Sequence, residues 1–169
     1  MDVHYLEKIW IVAAVFLILT FIGTVTYGAL GPGVRMVSNE GGIVPEPSKP
    51  VESSSFKEPG VYKTGVNTYD VYVLARQFVY RPRTITLPAN STVTFHLTSP
   101  DVIHGFELAG TNVNTMAIPG RIGKFTVKFD EVEDYGLICH EYCGVGHHLM
   151  EGKVEVVPKS EFESREESS

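Results

Sequence analysis

Apolar residues run without interruption near the start of the chain, and no charged residue occurs from Ile9 to Leu30. A helix of about 20 apolar residues is long enough to cross the hydrocarbon core of a membrane. Trp10 and Tyr27 lie near the two ends of the run, where aromatic rings favour the membrane interface. A cleaved signal peptide is the alternative, but the acidic flank and the length of the run favour a retained anchor over residues 1–30.

The pattern changes twice after this anchor. Residues 31–60 are rich in proline, glycine and serine and show no periodicity, which predicts an extended linker. Residues 61–158 alternate apolar and polar positions in short runs rich in valine, threonine and aromatic residues, as half-buried strands do. The polar residues 159–169 predict a flexible tail. The predicted strands are Asn67–Ala75, Thr84–Leu87, Ser91–Ser99, Val102–Leu108, Ile122–Phe129, Tyr135–Cys139 and Gly152–Val157.

Strand number and spacing predict the fold class. Several short strands with turn signals between them, and no segment of helical period, favour an all-β Greek-key sandwich or small barrel over an α/β fold. The length of 169 residues suits one such domain beside the anchor. The mean hydropathy of +0.03 is therefore the average of an apolar helix and a water-facing domain.

The net charge and the cysteine content exclude some kinds of binding partner and some kinds of site. The formal net charge of −6 argues against a nucleic-acid partner, which would require a basic face. Two cysteines are too few for a scaffold of several disulfides or for a four-cysteine zinc site. A single disulfide and a metal site with mixed ligands are both still compatible with the two cysteines.

Both cysteines lie in one short segment, Cys139–Met150, which reads CHEYCGVGHHLM. His147 follows the second cysteine by four residues and Met150 follows His147 by three, while His104 is a further candidate from a neighbouring strand. Cysteine, histidine and methionine form a soft ligand set that suits copper. A disulfide and a zinc site are the alternatives, and the methionine favours copper over zinc. His96, His140 and His148 are assigned no ligand role.

This segment resembles the binuclear copper loop, called CuA, of subunit II of haem-copper cytochrome c oxidases. The pattern there is C-x-E-x-C-G-x-x-H-x-x-M, with an upstream D-V-x-H segment that is Asp101-Val102-Ile103-His104 here. The single helix and the segment YVLARQFVYRP are most similar to the short ba-type subunit II. The resemblance implies a cupredoxin-like Greek-key sandwich with one N-terminal transmembrane helix.

The resemblance also implies a ligand set for two copper ions. Cys139 and Cys143 would bridge both ions as thiolates, and a histidine would bind each ion. Asp101 is expected to orient His104 or the loop. The residues that the resemblance assigns to the metal are His104, Cys139, Glu141, Cys143, His147 and Met150. Of these, Met150 and the backbone carbonyl of Glu141 would be the weak axial ligands.

Further residues receive roles from the same resemblance. The Glu141 side chain would reach a magnesium ion at the interface with subunit I, and Glu7 would lie at the cytoplasmic mouth of a proton path. The family's tryptophan-rich surface for electron uptake is absent, because Trp10 is the only tryptophan. Phe78 and Tyr80 are the expected replacements, as part of an exposed apolar surface.

The function implied is electron transfer into a terminal oxidase. A soluble cytochrome c or blue-copper protein would donate single electrons, and haem in subunit I would receive them for the reduction of oxygen to water coupled to proton pumping. The chain would cross the plasma membrane of a prokaryote once, with its C-terminal domain on the extracytoplasmic side. A membrane-tethered copper-delivery protein and the CuA module of a nitrogen-oxide reductase remain the alternatives.

Overall fold

The computed structural model describes residues 3–30, 38–39, 42–43 and 54–166. The chain divides into two compact units, Met1–Arg35 and Met36–Ser169. Most of the predicted linker and the last three residues of the predicted tail lie outside the described residues. The two units are described separately below.

The first unit is a single helix, α1 (Val3–Leu30), as the uninterrupted apolar run predicts. Its stretch from His4 to Gly28 is long and apolar enough to cross a membrane, and none of it is buried within the structure. The hydroxyls of Thr20 and Thr24 donate hydrogen bonds to helix carbonyls at 2.8 and 2.9 Å. A helix with apolar residues around its whole circumference and with its polar groups satisfied internally suits a lipid environment.

The second unit is a β-sandwich whose described strands form two sheets. The first sheet comprises β1 (Ser38–Asn39), β2 (Gly42–Ile43), β3 (Gly60–Lys63), β4 (Thr68–Arg76), β5 (Val79–Arg81), β7 (Ser91–Thr98) and β10 (Arg121–Phe129). The second sheet comprises β6 (Thr84–Pro88), β8 (His104–Leu108), β9 (Asn114–Ala117), β11 (Glu133–Ile138) and β12 (Glu151–Val157). Short helices are α2 (Ser54–Lys57), the 3₁₀ turn His147–Leu149 and α3 (Lys159–Glu166).

Strand order within the sheets fixes which residues can meet. The first sheet runs β1-β10-β7-β4-β3, with β2 on β10 and β5 on β4, and the second runs β6-β12-β11-β8-β9. Within the second sheet, β11 pairs antiparallel with both β12 and β8. The end of β11 and the start of β8 therefore lie at the same edge of the sandwich, because antiparallel neighbours run in opposite directions.

Aromatic side chains join the two sheets in the core. Phe95 of β7 stacks on Phe125 of β10 with ring centroids 5.1 Å apart, and Phe106 of β8 packs against Phe95 at 5.9 Å. All three rings are buried, and aromatic pairs at such distances stabilise a core beyond the area that they bury. Because Phe106 is two residues from His104, this packing also holds the strand that carries the histidine.

The all-β prediction is confirmed, and each of the seven predicted strands is present within two residues of its expected bounds. Five strands of the sandwich were not predicted, namely β1, β2, β3, β5 and β9. They are only two to four residues long, which is too short for an alternating pattern to stand out. β1 and β2 lie within the predicted linker and pair with β10.

The structure differs from the predicted linker and tail where these are described. Phe56 of α2 is 1% exposed and packs edge to face on Tyr72, so this part of residues 31–60 belongs to the sandwich. Phe162 of α3 is 5% exposed and packs on Tyr69 at 5.5 Å. The expectation of a flexible tail is therefore wrong for Lys159–Glu166, because one apolar residue among charged neighbours is enough to anchor a short helix.

Candidate metal centre

The candidate ligands meet at one edge of the second sheet. His104 begins β8, and the segment Cys139–Met150 connects β11 to β12. The backbone N–H of Cys139 donates to the carbonyl of Met150 at 3.4 Å, which closes the base of this segment. We call residues Cys139–Met150 the ligand loop. Strand pairing thus brings a loop and a strand 35 residues apart along the chain to the same place.

The side chains of this loop converge on Cys143. Its Sγ lies 3.9 Å from Cys139 Sγ, 3.7 Å from His147 Nδ1 and 3.7 Å from Met150 Sδ. Three ligand atoms, one each from His104, Cys139 and Cys143, all lie within 4.8 Å of one another. The structure therefore brings together the histidines, cysteines and methionine that the sequence proposes. In the part of the chain that the structure describes, no other group of three or more His, Cys, Asp or Glu residues is placed to hold a metal.

The two thiols are free. Their separation of 3.9 Å is almost twice the roughly 2.05 Å of a disulfide bond. Burial, followed by the neighbouring Cys139, raises the pKa of Cys143 above the ordinary value of a thiol. A bound cation would reverse this effect, since a coordinating thiol loses its proton.

Glu141 presents its two oxygen-bearing groups in different ways. The backbone carbonyl oxygen lies 3.2 Å from Cys139 Sγ, within the cluster. The carboxylate is 47% exposed, and its Oε1 is 3.9 Å from His140 Nδ1. The carbonyl is therefore placed to act toward a metal in the loop, whereas the carboxylate is accessible to a different partner.

His104 is completely buried and is held by Asp101. His104 Nε2 lies 2.7 Å from Asp101 Oδ1, whereas His104 Nδ1 is buried and has no hydrogen-bond partner among the described residues. A carboxylate beside Nε2 favours the tautomer that carries its proton there, which leaves the lone pair on Nδ1. His104 offers a ring nitrogen within 4.8 Å of both thiols, and imidazole with thiolate is a ligand set that suits copper or zinc.

Several donors keep Asp101 ionised. Partial burial pushes the pKa of Asp101 upward, but hydrogen bonds outweigh this and leave the pKa below its usual value. These bonds come from His104, from the backbone N–H groups of Gln77 and Val102, and from the Ser99 hydroxyl. An ionised carboxylate accepts hydrogen bonds only, so it fixes the proton of His104 on Nε2.

The expectation that Tyr80 is an exposed aromatic for electron uptake is wrong, because Tyr80 is fully buried. Its hydroxyl donates to the carbonyl of Gly105, the residue after His104, at 2.5 Å. Burial, and then the proximity of Cys139, raises the pKa of Tyr80 well above its ordinary value. Tyr80 therefore supports the strand that carries His104 through its hydrogen bond to Gly105. Phe78, the other expected aromatic, is half-buried.

The remaining histidines lie around the site in different ways. His140 is half-buried, and its Nε2 donates to the carbonyl of Thr115 in β9 at 3.2 Å. A side chain at Gly105 would collide with the backbone and ring of His140, so this position requires glycine. His148 is exposed. Neither histidine is among the cluster of ligand atoms.

Gln77 contacts the site and was not singled out from the sequence. Its side-chain Nε2 donates to the carbonyl of Cys143 at 2.7 Å, and its backbone N–H donates to Asp101 Oδ2 at 2.9 Å. The only signal in the sequence is a polar residue at the turn between two strands, which occurs in most sandwiches.

Comparison with known proteins agrees with this fold and site. The family described as "Cytochrome C oxidase subunit II, periplasmic domain" matches residues 65–157. Two relatives from Thermus thermophilus are both named cytochrome c oxidase subunit 2. One is 33% identical over 159 residues, covering 89% of this chain and 90% of the relative. The other is 36% identical over 130 residues, covering 72% of this chain and 96% of the relative.

Solved structures give the same result. The cryo-EM structure of a heme-copper terminal oxidase dimer contains a chain with 35% identity and a TM-score of 0.61, and the match covers 89% of the present chain and 99% of that one. The periplasmic domain of subunit II of cytochrome oxidase from Bradyrhizobium japonicum matches with 25% identity and a TM-score of 0.54, over 59% and 91% of the two chains.

Fold and site together define a membrane-anchored domain of the cupredoxin-like, copper-binding type. The coverage and identity of the relatives are more specific. The chain belongs to the cytochrome c oxidase subunit II family of haem-copper oxidases. The resemblance of the ligand loop to that family is thereby confirmed.

We predict that Asp101→Asn weakens metal binding by about 10- to 100-fold, the usual cost of losing the partner of a metal-binding histidine. An amide in place of the carboxylate can donate to His104 Nε2, which would move the ring proton to Nδ1. Competition with a copper chelator, using the full chain in detergent, measures the affinity. An Asp101→Asn chain that binds copper as tightly as the wild type would contradict this account of His104.

Proposed function

We propose that the chain holds two copper ions between the ligand loop and His104 and relays single electrons from a soluble carrier to the haem of subunit I. In that complex oxygen is reduced to water, coupled to proton pumping. The observation that supports this most directly is the cluster of donors around Cys143, with sulfur and nitrogen atoms 3.7–3.9 Å away.

Each donor has a distinct part in this proposal. Cys139 and Cys143 would be shared by both ions, with His104 Nδ1 and His147 Nδ1 as the two nitrogen ligands. Met150 Sδ and the carbonyl of Glu141 would complete the set. Copper supplies reversible one-electron redox chemistry when bound. The protein's contribution is to keep these donors in place without water, and Cys139, Cys143 and Met150 are each at most 5% exposed.

Electron uptake is proposed to occur over the ligand loop. His147 is partly exposed, whereas the other proposed side-chain ligands are buried. Around it the loop exposes three large apolar side chains, Tyr142, Val145 and Leu149, by 77%, 86% and 67%. A concentration of exposed apolar residues on one segment is typical of an interaction surface. We propose that a soluble cytochrome c or blue-copper protein with an apolar face binds there.

The location proposed for the chain is the plasma membrane of a prokaryote, with a single crossing by α1 and the sandwich on the extracytoplasmic side. The apolar helix supports the anchor, and the match to a family described as a periplasmic domain supports the side. A soluble donor outside the cytoplasm would then have direct access to the loop.

Copper loading of the full chain in detergent tests the metal proposal. We expect two copper ions per chain and an electron paramagnetic resonance spectrum of one electron shared by both. Cys143→Ser should abolish that spectrum, because serine is a poor soft ligand. His148→Ala is the matched control on the same loop and should keep it. A colourless Cu(I) site or bound zinc would contradict the relay and favour a metal-delivery protein. Co-purification with a nitrogen-oxide reductase would show that the chain serves such a reductase instead of an oxidase.

Val145→Asp tests the proposed donor surface. A charge at the centre of an apolar contact should slow reduction by the donor about tenfold, since truncating a central contact costs 1 kcal/mol or more. Val66→Asp is the matched control, because Val66 is equally exposed, at 85%, but lies in the turn before β4. Stopped-flow reduction by a cytochrome c and by a blue-copper protein measures the rates. Equal rates of reduction for the two variants would contradict the proposal that the donor binds over the ligand loop.

Two carboxylates outside the ligand set are also proposed to act in the assembled oxidase. Glu7 lies near the start of α1, with Oε2 3.3 Å from His4 Nδ1, and would serve the proton path. The exposed Glu141 side chain would bind magnesium at the subunit I interface. In the assembled complex we expect Glu7→Gln to slow turnover, because the amide cannot transfer a proton as the carboxylate can, and we expect Glu141→Gln to lose magnesium. Unchanged turnover or unchanged magnesium content would contradict the respective role.

A further inference from the structure

One turn of the sandwich is bonded to both halves of the metal centre. This turn, between β4 and β5, contains Gln77. The side-chain amide of Gln77 donates to the carbonyl of Cys143 in the ligand loop at 2.7 Å. Its backbone N–H donates to Asp101 Oδ2 at 2.9 Å, and Asp101 Oδ1 is in turn 2.7 Å from His104 Nε2. A single residue therefore connects the loop with the histidine that comes from the adjacent strand.

The bond to Cys143 has no substitute in the described part of the chain. Besides the bond from Cys139 to Met150 at its base, the backbone hydrogen bonds within the loop run from His147 to Gly144, from Leu149 to Gly146 and from Met150 to His147. No other hydrogen bond to the Cys143 carbonyl is found among the described residues. The amide of Gln77 is thus the donor that fixes the backbone on which the central thiol is carried.

The next residue holds the same part of the loop by packing. A Cβ atom at Gly146 would lie 2.6 Å from the Phe78 ring, and one at Gly144 would lie 3.0 Å from that ring and 3.1 Å from Gln77 Nε2. Gly144 also has φ +132°, which side chains rarely adopt. The ring and the amide therefore lie against two loop positions, 144 and 146, at which a side chain would collide.

We propose that Gln77 is a positioning residue that sets the place of Cys143 relative to His104, and so the pre-organisation of the copper site. The inference rests on the proposed function for its consequence, since copper is what the site would hold. The bonds themselves belong to the metal-free chain. Gln77 touches no proposed ligand atom, and it acts through the Cys143 backbone and through Asp101.

Hydrogen exchange in the metal-free full chain, in detergent, tests this directly. Gln77→Met keeps the length of the side chain and removes its donor. We expect the loop amides of His147 and Leu149 to exchange about fivefold faster, the factor that corresponds to one hydrogen bond. Arg76→Met is the matched control, because Arg76 is a neighbouring exposed residue without a side-chain bond in the described part of the chain. Amides of β7 report whether the fold is intact.

The same variants separate this inference from the proposed function. Gln77→Met should also release copper to a chelator about fivefold faster, whereas Arg76→Met should not. Loop exchange that is no faster in Gln77→Met than in Arg76→Met would overturn the inference, whatever the metal content. Faster exchange in a chain that fails to give the two-copper spectrum would support the positioning role and contradict the proposed function.

A double-mutant cycle tests the connection through Gln77. If Gln77 joins the loop to Asp101 and His104, the effects of Gln77→Met and Asp101→Asn depend on each other. The rate of copper release from the double mutant should then differ from the rate expected by multiplying the two single effects. If each change multiplies the release rate independently, the two halves of the site are held separately, and the connecting role is overturned.

Discussion

The metal centre depends on one constraint, which is that two sulfur atoms are held 3.9 Å apart without being bonded. Cysteines separated by three residues in a free chain could approach each other or move apart. Here the base of the ligand loop is closed by the backbone hydrogen bond from Cys139 to Met150, and this closure limits both movements. Since β11 and β12 continue this pairing over six residue pairs, the spacing of the thiols is inherited from the sheet.

The sandwich behind the loop supports that constraint from two directions. Phe106 anchors β8 in the aromatic core, and the Tyr80 hydroxyl bonds to the carbonyl of Gly105. Both contacts fix the strand directly behind His104. Electron transfer is fast when ligands move little between oxidation states, so a site built on a packed core is better suited to it than one on a mobile loop.

Sequence reasoning found the parts of this structure that follow a repeating pattern or a fixed spacing. The longer strands were predictable because alternation accumulates over their length. The ligand loop was predictable because its cysteines, His147 and Met150 are close in sequence. His104 was a candidate from a neighbouring strand, and the agreement with a known family pattern supported it. Neither route depends on how the sheets pack.

Features that depend on packing were not predictable in the same way. Tyr80 has sequence neighbours that are typical of the surface, since an arginine and a proline follow it. Only the sheet pairing shows that its side chain faces inward. Phe162 is a single apolar residue in a charged segment, so no periodicity marks it. Gln77 acts through one amide on a residue 66 positions away, and a contact of that range leaves no trace in local sequence.

The position of β12 has a consequence for how the protein is made. Among the described strands β12 comes last in sequence, yet it lies inside the second sheet, between β6 and β11, and its pairing with β6 is parallel. Ribosomes deliver the N-terminal part first, so the sheet has a gap until residue 157 has emerged. The base of the ligand loop closes only when that strand is inserted. All the proposed ligands could therefore hold a metal together only after β12 has been synthesised and inserted into the sheet.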